Sequence, residues 1–179
     1  WKIRTRKIVV ATGAAERPLV FAGNDTPGVM MLSAAVAYAT RHAVAVGKRC
    51  VIVTNHSAAY QRAQALANAG VAIGAIIDLR PKIDGAEAEL ARTIGASVLL
   101  GETILAVHGR DRVSGLTVAP SANLHASRTL ECDTVLMAGG WVSRRGAFSN
   151  AHAVGAAAAI NPVLGDTLIE LPGSSGRRA

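Results

Sequence analysis

Two segments of the chain, far apart in the sequence, end in the same way. Residues 7–18 read Lys-Ile-Val-Val-Ala-Thr-Gly-Ala-Ala-Glu-Arg-Pro, and residues 133–141 repeat that outline as Asp-Thr-Val-Leu-Met-Ala-Gly-Gly-Trp. In each copy a run of apolar residues leads into small residues and glycine, which is how a buried parallel strand brings bare backbone close to a ligand. The length between the copies suits a nucleotide-binding unit. The pattern therefore predicts one dinucleotide domain inserted into another.

The segment between the two copies alternates between strand and helix patterns. Apolar runs predict buried strands at residues 51–54, 71–78 and 97–100, and helical spacing of apolar residues predicts helices at 32–44, 57–69 and 87–94. Three further strand patterns, at residues 102–109, 113–118 and 129–132, predict a small antiparallel meander. Half of the chain is apolar but only 3% is aromatic, and small apolar residues suit helices packed closely on a sheet. The predicted fold class is α/β, a Rossmann-like βαβαβ nucleotide-binding unit with a β-meander, inserted in a partial FAD/NAD-binding domain.

This pattern predicts three regions. Residues 1–46 are expected to be part of an outer dinucleotide-binding domain, and residues 47–132 an inserted NAD-binding-like Rossmann domain. Residues 133–179 are expected to hold the return strand of the outer domain and a divergent tail, whose alanine run and terminal Gly/Ser/Arg residues are typical of weak order.

Ligands of doubly wound sheets bind at the carboxyl ends of the strands. The small residues that end the two matching strands are therefore predicted to contact a cofactor, although glycines of this kind also serve ordinary turns. These residues are Ala11, Thr12, Gly13, Ala138, Gly139 and Gly140.

The inserted unit has a second candidate site. After the strand at 51–54 the chain reads Thr-Asn-His-Ser-Ala-Ala, without the glycines that normally let a pyrophosphate approach backbone. Asn55 and Ser57 are predicted to offer hydrogen bonds there instead, with Ser57 capping the next helix. Asp78 ends the following strand, where an acidic residue holds the hydroxyls of an adenosine ribose. An ordinary strand-end turn at residues 78–81 is weighed equally with that adenosine site.

Other kinds of function are poorly supported. There is no Cys-x-x-Cys motif, no nucleophile elbow and no histidine pair at ligand spacing, so no catalytic residue and no metal site is predicted. Cys50 and Cys132 are expected to be reduced, buried thiols. The net charge of +7 is spread along a chain with few aromatic residues, so nucleic acid is not an expected partner. Without a membrane-length apolar run or a signal-peptide pattern, the expected location is the cytoplasm.

Several strings together are similar to the alpha subunit of heterotetrameric sarcosine oxidase. Glu-Arg-Pro at 16–18 is followed by Asn-Asp-Thr-Pro-Gly-Val at 24–29, and the match continues with Thr-Asn-His-Ser-Ala-Ala-Tyr at 54–60, Asp-Leu-Arg-Pro at 78–81 and Ala-Gly-Gly-Trp at 138–141. The combination of Glu-Arg-Pro at 16–18 with Asn-Asp-Thr-Pro-Gly-Val at 24–29 is long and unusual, whereas the Ala-Thr-Gly motif at 11–13 occurs in many flavoproteins. The resemblance covers residues 1–141 and marks the chain as a fragment of a larger subunit.

The resemblance implies a function for the whole enzyme. Sarcosine is oxidatively demethylated to glycine, with release of peroxide and transfer of the one-carbon unit to tetrahydrofolate, in a complex with beta, gamma and delta subunits. The implied cofactors are NAD in the alpha subunit and flavin, as FMN or FAD, in the complex. Two alternatives stay open: a cofactor-free Rossmann-like assembly module, and a subunit of another FAD/NAD-dependent amine or opine oxidoreductase.

Overall fold

The computed structural model describes residues 4–144 and 152–154. In chain order the elements are β1 (Val9–Val10), β2 (Ala14–Glu16), β3 (Val29–Met31), α1 (Leu32–His42), β4 (Cys50–Thr54), α2 (Ala58–Asn68), β5 (Ile73–Asp78), α3 (Gly85–Ile94), β6 (Ser97–Leu100), β7 (Glu102–His108), β8 (Gly115–Pro120), β9 (Arg128–Leu130), β10 (Thr134–Ala138), β11 (Trp141–Ser143) and β12 (His152–Ala153). They fall into two compact units, residues 18–139, and residues 1–17 with 140–179. The predicted strands β4 to β8 and the three helices are confirmed within a few residues.

A five-stranded parallel sheet forms the centre of the unit at residues 18–139. Its strands lie in the order β3-β10-β4-β5-β6, and every neighbouring pair is parallel. The strands β4 and β10 are buried along their whole length, which explains their continuous apolar sequences. This arrangement confirms the predicted α/β, Rossmann-like fold class.

The three helices cover one face of this sheet. Leu32, Ala35 and Ala39 recur at helical spacing on α1, and they pack with apolar residues of α2 and of the sheet in one buried cluster. Most of the helix residues in this cluster are alanines, whose small side chains let the helices approach the strands closely. No helix within the described residues is long and apolar enough to cross a lipid bilayer.

The predicted meander covers the opposite face. The strands β7, β8 and β9 pair antiparallel in that order. Leu116 and Val118 of β8 pack in a second cluster with the sheet residues Val51, Val53 and Ile77, whose side chains alternate with those of the helix-covered face. The sheet is therefore buried on both sides, by helices on one and by strands on the other.

The boundaries of the units differ from the predicted domain limits at 46/47 and 132/133. The strands β3 and β10 are hydrogen-bonded in the same sheet as β4, so both belong to the compact unit at residues 18–139. Asp133 helps to hold β10 in place, because its carboxylate accepts the backbone N–H groups of Lys48 at 2.8 Å and of Arg49 at 3.0 Å. The short strands β2 and β3 were not predicted.

The other unit contains two short ribbons. The strand β1 pairs parallel with β12, and β2 pairs antiparallel with β11. These two pairs place part of the predicted divergent tail in regular strands, while residues 145–151 and 155–179 lie outside the described residues. The two matching segments of the sequence therefore have different surroundings: β1 is one of two paired strands, whereas β10 is an internal strand of the five-stranded sheet.

The helix α3 begins with a reciprocal cap. The Asp84 carboxylate accepts the backbone N–H of Glu87 at 2.7 Å, and the Glu87 carboxylate accepts that of Asp84 at 2.8 Å. We expect Asp84→Ala to lower the free energy of unfolding by about 1 kcal/mol, because one first-turn N–H loses its acceptor. Urea unfolding measures the loss. The control is Asp111→Ala in an exposed turn, and equal stability of the two variants would contradict the prediction.

Candidate functional site

The carboxyl ends of three central strands align along one edge of the parallel sheet. Ala138 pairs with Thr54, and Thr54 pairs with Asp78. Gly139 follows Ala138, so the backbone at the end of β10 carries only small side chains. This edge is where open α/β sheets bind their ligands, and it brings together residues from both predicted sites.

A tight turn without glycine leads from β4 into α2. The Thr54 hydroxyl accepts the backbone N–H of His56 at 3.2 Å and donates to the His56 carbonyl at 3.3 Å. Ser57 is the N-cap residue of α2, but its backbone is helical and its side chain makes no cap bond. The predicted capping role of Ser57 is therefore not found. Its hydroxyl accepts a hydrogen bond from Arg80 instead, at 3.0 Å.

Asp78 is fully buried, and both of its carboxylate oxygens are hydrogen-bonded. Oδ1 accepts the backbone N–H of Arg80 at 2.9 Å and its Nε–H at 3.1 Å. Oδ2 accepts from Arg80 Nη2 at 2.7 Å and from the Tyr60 hydroxyl at 2.9 Å. The pKa of Tyr60 is raised, mainly by burial and secondly by the negative charge of Asp78. This phenol is therefore a hydrogen-bond donor at neutral pH.

Arg80 joins three elements of the unit. Besides Asp78 at the end of β5 and Ser57 before α2, its Nη2 donates to Glu87 of α3 at 2.8 Å. Hydrogen bonding to Asp78 is the main cause that raises the pKa of Arg80. Burial alone would raise the pKa of Glu87, but hydrogen bonds from Ser57 and Arg80 hold it below its usual value. Arg80 therefore carries its charge between two ionised carboxylates.

His56 lies at the same corner of the unit and is only 7% exposed. Its Nε2 has no hydrogen-bond partner among the described residues. The pKa of the imidazole is lowered to about 4, mainly by burial and secondly by the positive charges of Arg62 and Arg80. His56 is therefore neutral at neutral pH, and its buried Nε2 has no partner within the part of the chain that the structure describes.

The structure places the predicted site residues in two groups. Asn55, Ser57, Asp78, Ala138 and Gly139 lie along the carboxyl edge of the parallel sheet. Ala11, Thr12, Gly13 and Gly140 belong to the other unit.

In that other unit Gly13 and Gly140 flank the antiparallel ribbon of β2 and β11 at opposite ends. The Gly13 carbonyl accepts a hydrogen bond from the backbone N–H of Arg144, and the Gly140 carbonyl accepts one from the backbone N–H of Arg17. The φ angles of Gly13 and Gly140 are 71° and 92°, in a region that side chains disfavour. A turn requirement explains both glycines, and their predicted contact with a cofactor stays a prediction.

Four polar residues near Asp78 were not assigned to the site from the sequence: His56, Tyr60, Arg80 and Glu87. The spacing Asp-x-Arg after a buried strand was a usable signal for Arg80, because a side chain two residues beyond the strand end can fold back on the carboxylate. The sequence Asp-x-x-Glu at 84–87 was a capping-box signal for Glu87. His56 gave no local signal, because its burial depends on elements distant in sequence.

No protein-family model matches the chain. Among curated proteins, the chain is 39% identical to sarcosine oxidase subunit alpha of Rhizobium meliloti over 141 residues. The aligned residues make up 79% of this chain. The chain resembles the alpha subunit of sarcosine oxidase. The same subunit of Corynebacterium sp. strain U-96 is 33% identical over 146 residues, again 79% of this chain. The matched segment is 14% and 15% of these two relatives, so this chain spans a small part of their length.

Solved structures show the same fold at much lower identity. Thioredoxin reductase of Lactococcus lactis matches with a TM-score of 0.70 at 15% identity, over 86% of this chain and 58% of that chain. The T. acidophilum thioredoxin reductase gives 0.67 at 14% identity, over 87% and 59% of the two chains. A water-forming NADH oxidase from Lactobacillus brevis, solved with NADH bound, matches with a TM-score of 0.54 at 19% identity, over 77% of this chain and 31% of that chain. The sheet and its two covering layers are thus a fold that this chain shares with these three structures.

Proposed function

We propose that this chain is part of the cofactor-binding region of a sarcosine oxidase-type alpha subunit, and that the unit at residues 18–139 binds NAD. The observation that carries the proposal is the 39% identity to a sarcosine oxidase alpha subunit over 141 residues, 79% of this chain. The carboxyl ends of β10, β4 and β5, at Ala138, Thr54 and Asp78, form the sheet edge at which the dinucleotide would bind. The chain's part in the reaction is then to hold a dinucleotide.

The residues at this edge fit the phosphates of a dinucleotide. No described side chain caps the N-terminus of α2, and the N–H groups of a first helical turn attract anions. Ala138 pairs with Thr54 at the start of that turn, Gly139 follows Ala138 without a side chain, and Asn55 is exposed on the turn. His56 Nε2 is a buried polar atom in need of a partner. Hydrogen bonds from these side chains would replace part of what a glycine-rich turn supplies through its backbone.

The adenosine would then lie toward β5 and β6, where the partly exposed Arg80 side chain is hydrogen-bonded to the buried Asp78. NAD, when bound, supplies a nicotinamide ring that can accept a hydride. The residues of this edge bind and orient the dinucleotide, and none of them is assigned a chemical step.

The proposal extends to the complete enzyme. The whole protein would be an oxidoreductase that demethylates sarcosine to glycine, releases peroxide and passes the one-carbon unit to tetrahydrofolate. Its partners would be beta, gamma and delta subunits in the cytoplasm, with FMN or FAD in the complex. Ala11, Thr12, Gly13 and Gly140 would lie beside a cofactor of the outer domain. The sarcosine oxidase alpha relatives support this extension, since their identity with the chain extends over 141 and 146 residues, 79% of this chain.

A single added charge tests the phosphate site. We expect Asn55→Asp to weaken NAD binding by the complete protein about tenfold or more, because a carboxylate beside the α2 N-terminus repels the pyrophosphate. The matched control is Asn68→Asp, the same change at the other end of α2. Isothermal titration calorimetry measures both. Equal affinities of the two variants for NAD would place the dinucleotide elsewhere.

A second candidate function is a cofactor-free assembly module. The turn at residues 54–57 has no glycine, and the Asp78 carboxylate is fully engaged within the chain. If the complete wild-type protein shows no heat of NAD binding and purifies without NAD, this candidate replaces the first.

A further inference from the structure

The hydrogen bonds of Asp78 leave it no capacity for a ribose. A carboxylate accepts about four hydrogen bonds, and Asp78 already accepts four, three from Arg80 and one from Tyr60. The Asp78 side chain has no exposed surface. A ribose hydroxyl could reach Asp78 only after the Arg80 side chain had moved away.

Arg80 is the polar group that a ligand meets at this place, since 28% of its side chain is exposed. An arginine side chain has five N–H donors. Nε–H and one Nη2–H bind Asp78, the other Nη2–H binds Glu87, and one Nη1–H binds Ser57. Within the described residues this leaves a single Nη1–H, enough for one hydroxyl or ether oxygen.

The charges around Arg80 decide what kind of ribose it can bind. A free arginine at the end of this strand binds the 2′-phosphate of NADP in other dinucleotide-binding proteins. Here the guanidinium lies between Asp78 at 2.7 Å and Glu87 at 2.8 Å. One positive charge among two negative charges leaves a net negative cluster, which repels a phosphate but still donates to a neutral hydroxyl.

We infer that Arg80, and not Asp78, contacts the adenosine ribose at this edge, and that Glu87 makes the site select an unphosphorylated ribose over a 2′-phosphorylated one. Asp78 is then a positioning residue that fixes the guanidinium. This inference rests on the proposed binding of a dinucleotide and names the residues that determine its specificity.

The test compares two glutamates of the same helix. Glu87→Gln removes the negative charge beside Arg80 and frees its Nη2–H, while glutamine at this position still completes a capping box. Glu89→Gln removes the same charge from an exposed pair with Arg92. Calorimetric titration of the complete protein with NAD and with NADP gives the ratio of the two dissociation constants for each variant.

We expect the wild type to bind NAD more tightly than NADP. Glu87→Gln should raise the affinity for NADP relative to NAD about tenfold, while Glu89→Gln leaves the ratio unchanged. Arg80→Lys should weaken NAD binding and keep the preference, because the charge stays while the fixed donor is lost.

Three results would overturn the inference. A wild-type preference for NADP would do so while leaving the dinucleotide site intact. Equal shifts in the two glutamate variants would show a general charge effect instead of a specific one. Absence of binding of either nucleotide to the wild type would remove both the inference and the function on which it rests.

Discussion

Replacing Arg80 by methionine will lower the free energy of unfolding by about 3 kcal/mol, and this is the largest effect that we expect from a single surface-reaching side chain. The change leaves Asp78 and Glu87, which are 0% and 4% exposed, without their cation. Uncompensated buried charges cost about 3–5 kcal/mol, and the partial exposure of Arg80 favours the lower end. Urea or thermal unfolding of the variant at pH 7 measures the loss.

The control for this experiment is Arg92→Met. Arg92 pairs with Glu89 on the exposed face of α3, so the same loss of charge and of donors there should leave the unfolding midpoint unchanged. The double variant Arg80→Met/Glu87→Gln should recover part of the lost stability, because one of the two unpaired charges is removed. If Arg80→Met were as stable as Arg92→Met, the buried carboxylates would not depend on Arg80.

Acidification should destabilise the protein through His56. The pKa of this imidazole is about 4 in the folded chain, against an ordinary value of 6.5. Below pH 6.5 the unfolded chain therefore binds a proton that the folded chain does not bind. The stability that His56 contributes is complete above pH 6.5 and falls as the pH decreases toward 4, by about 3 kcal/mol in total.

The measurement is the free energy of unfolding of wild type and of His56→Gln at several pH values between 7.5 and 4.5. Glutamine does not titrate, so the difference between the two proteins should change with pH below about 6.5 and be constant from there to pH 7.5. The charged groups that act on His56 are Arg62, Arg80, Asp78 and Glu87, and all four remain in the variant. Replacement of the exposed His125 by glutamine is the control, and parallel pH curves for wild type and His56→Gln would contradict the prediction.

The sequence predicts the local elements of this fold better than their pairing. The helices α1 to α3 and the strands β4 to β8 follow from apolar periodicity, because each is fixed mainly by its own residues. The position of β10 could not be predicted in that way. A five-residue apolar run fits any internal position of a parallel sheet, and only its hydrogen bonds to β3 and β4 place it in the unit at residues 18–139.

The candidate site shows the same limit. Asp78 was predicted at the ligand edge because its place follows from strand length, and the structure puts it there. The Asp-x-Arg spacing indicates that Arg80 can reach it, but its hydrogen bond from Tyr60 depends on the packing of α2 against β5, which no sequence spacing encodes. The burial of His56 was missed for the same reason, since a lone histidine after a strand gives no sign of how deeply the neighbouring helix covers it.

The order of the strands has a consequence for how the chain acquires its structure on the ribosome. The strand that lies between β3 and β4 is β10, and within residues 18–139 it is the last strand to be synthesised. Until it emerges, β4 lacks one of its two neighbours and β3 has no partner in the sheet, since Val29 pairs with Val135. Such distant pairing slows folding, so a nascent polypeptide that pauses before residue 134 would present two apolar strand edges, which is the kind of surface that chaperones protect.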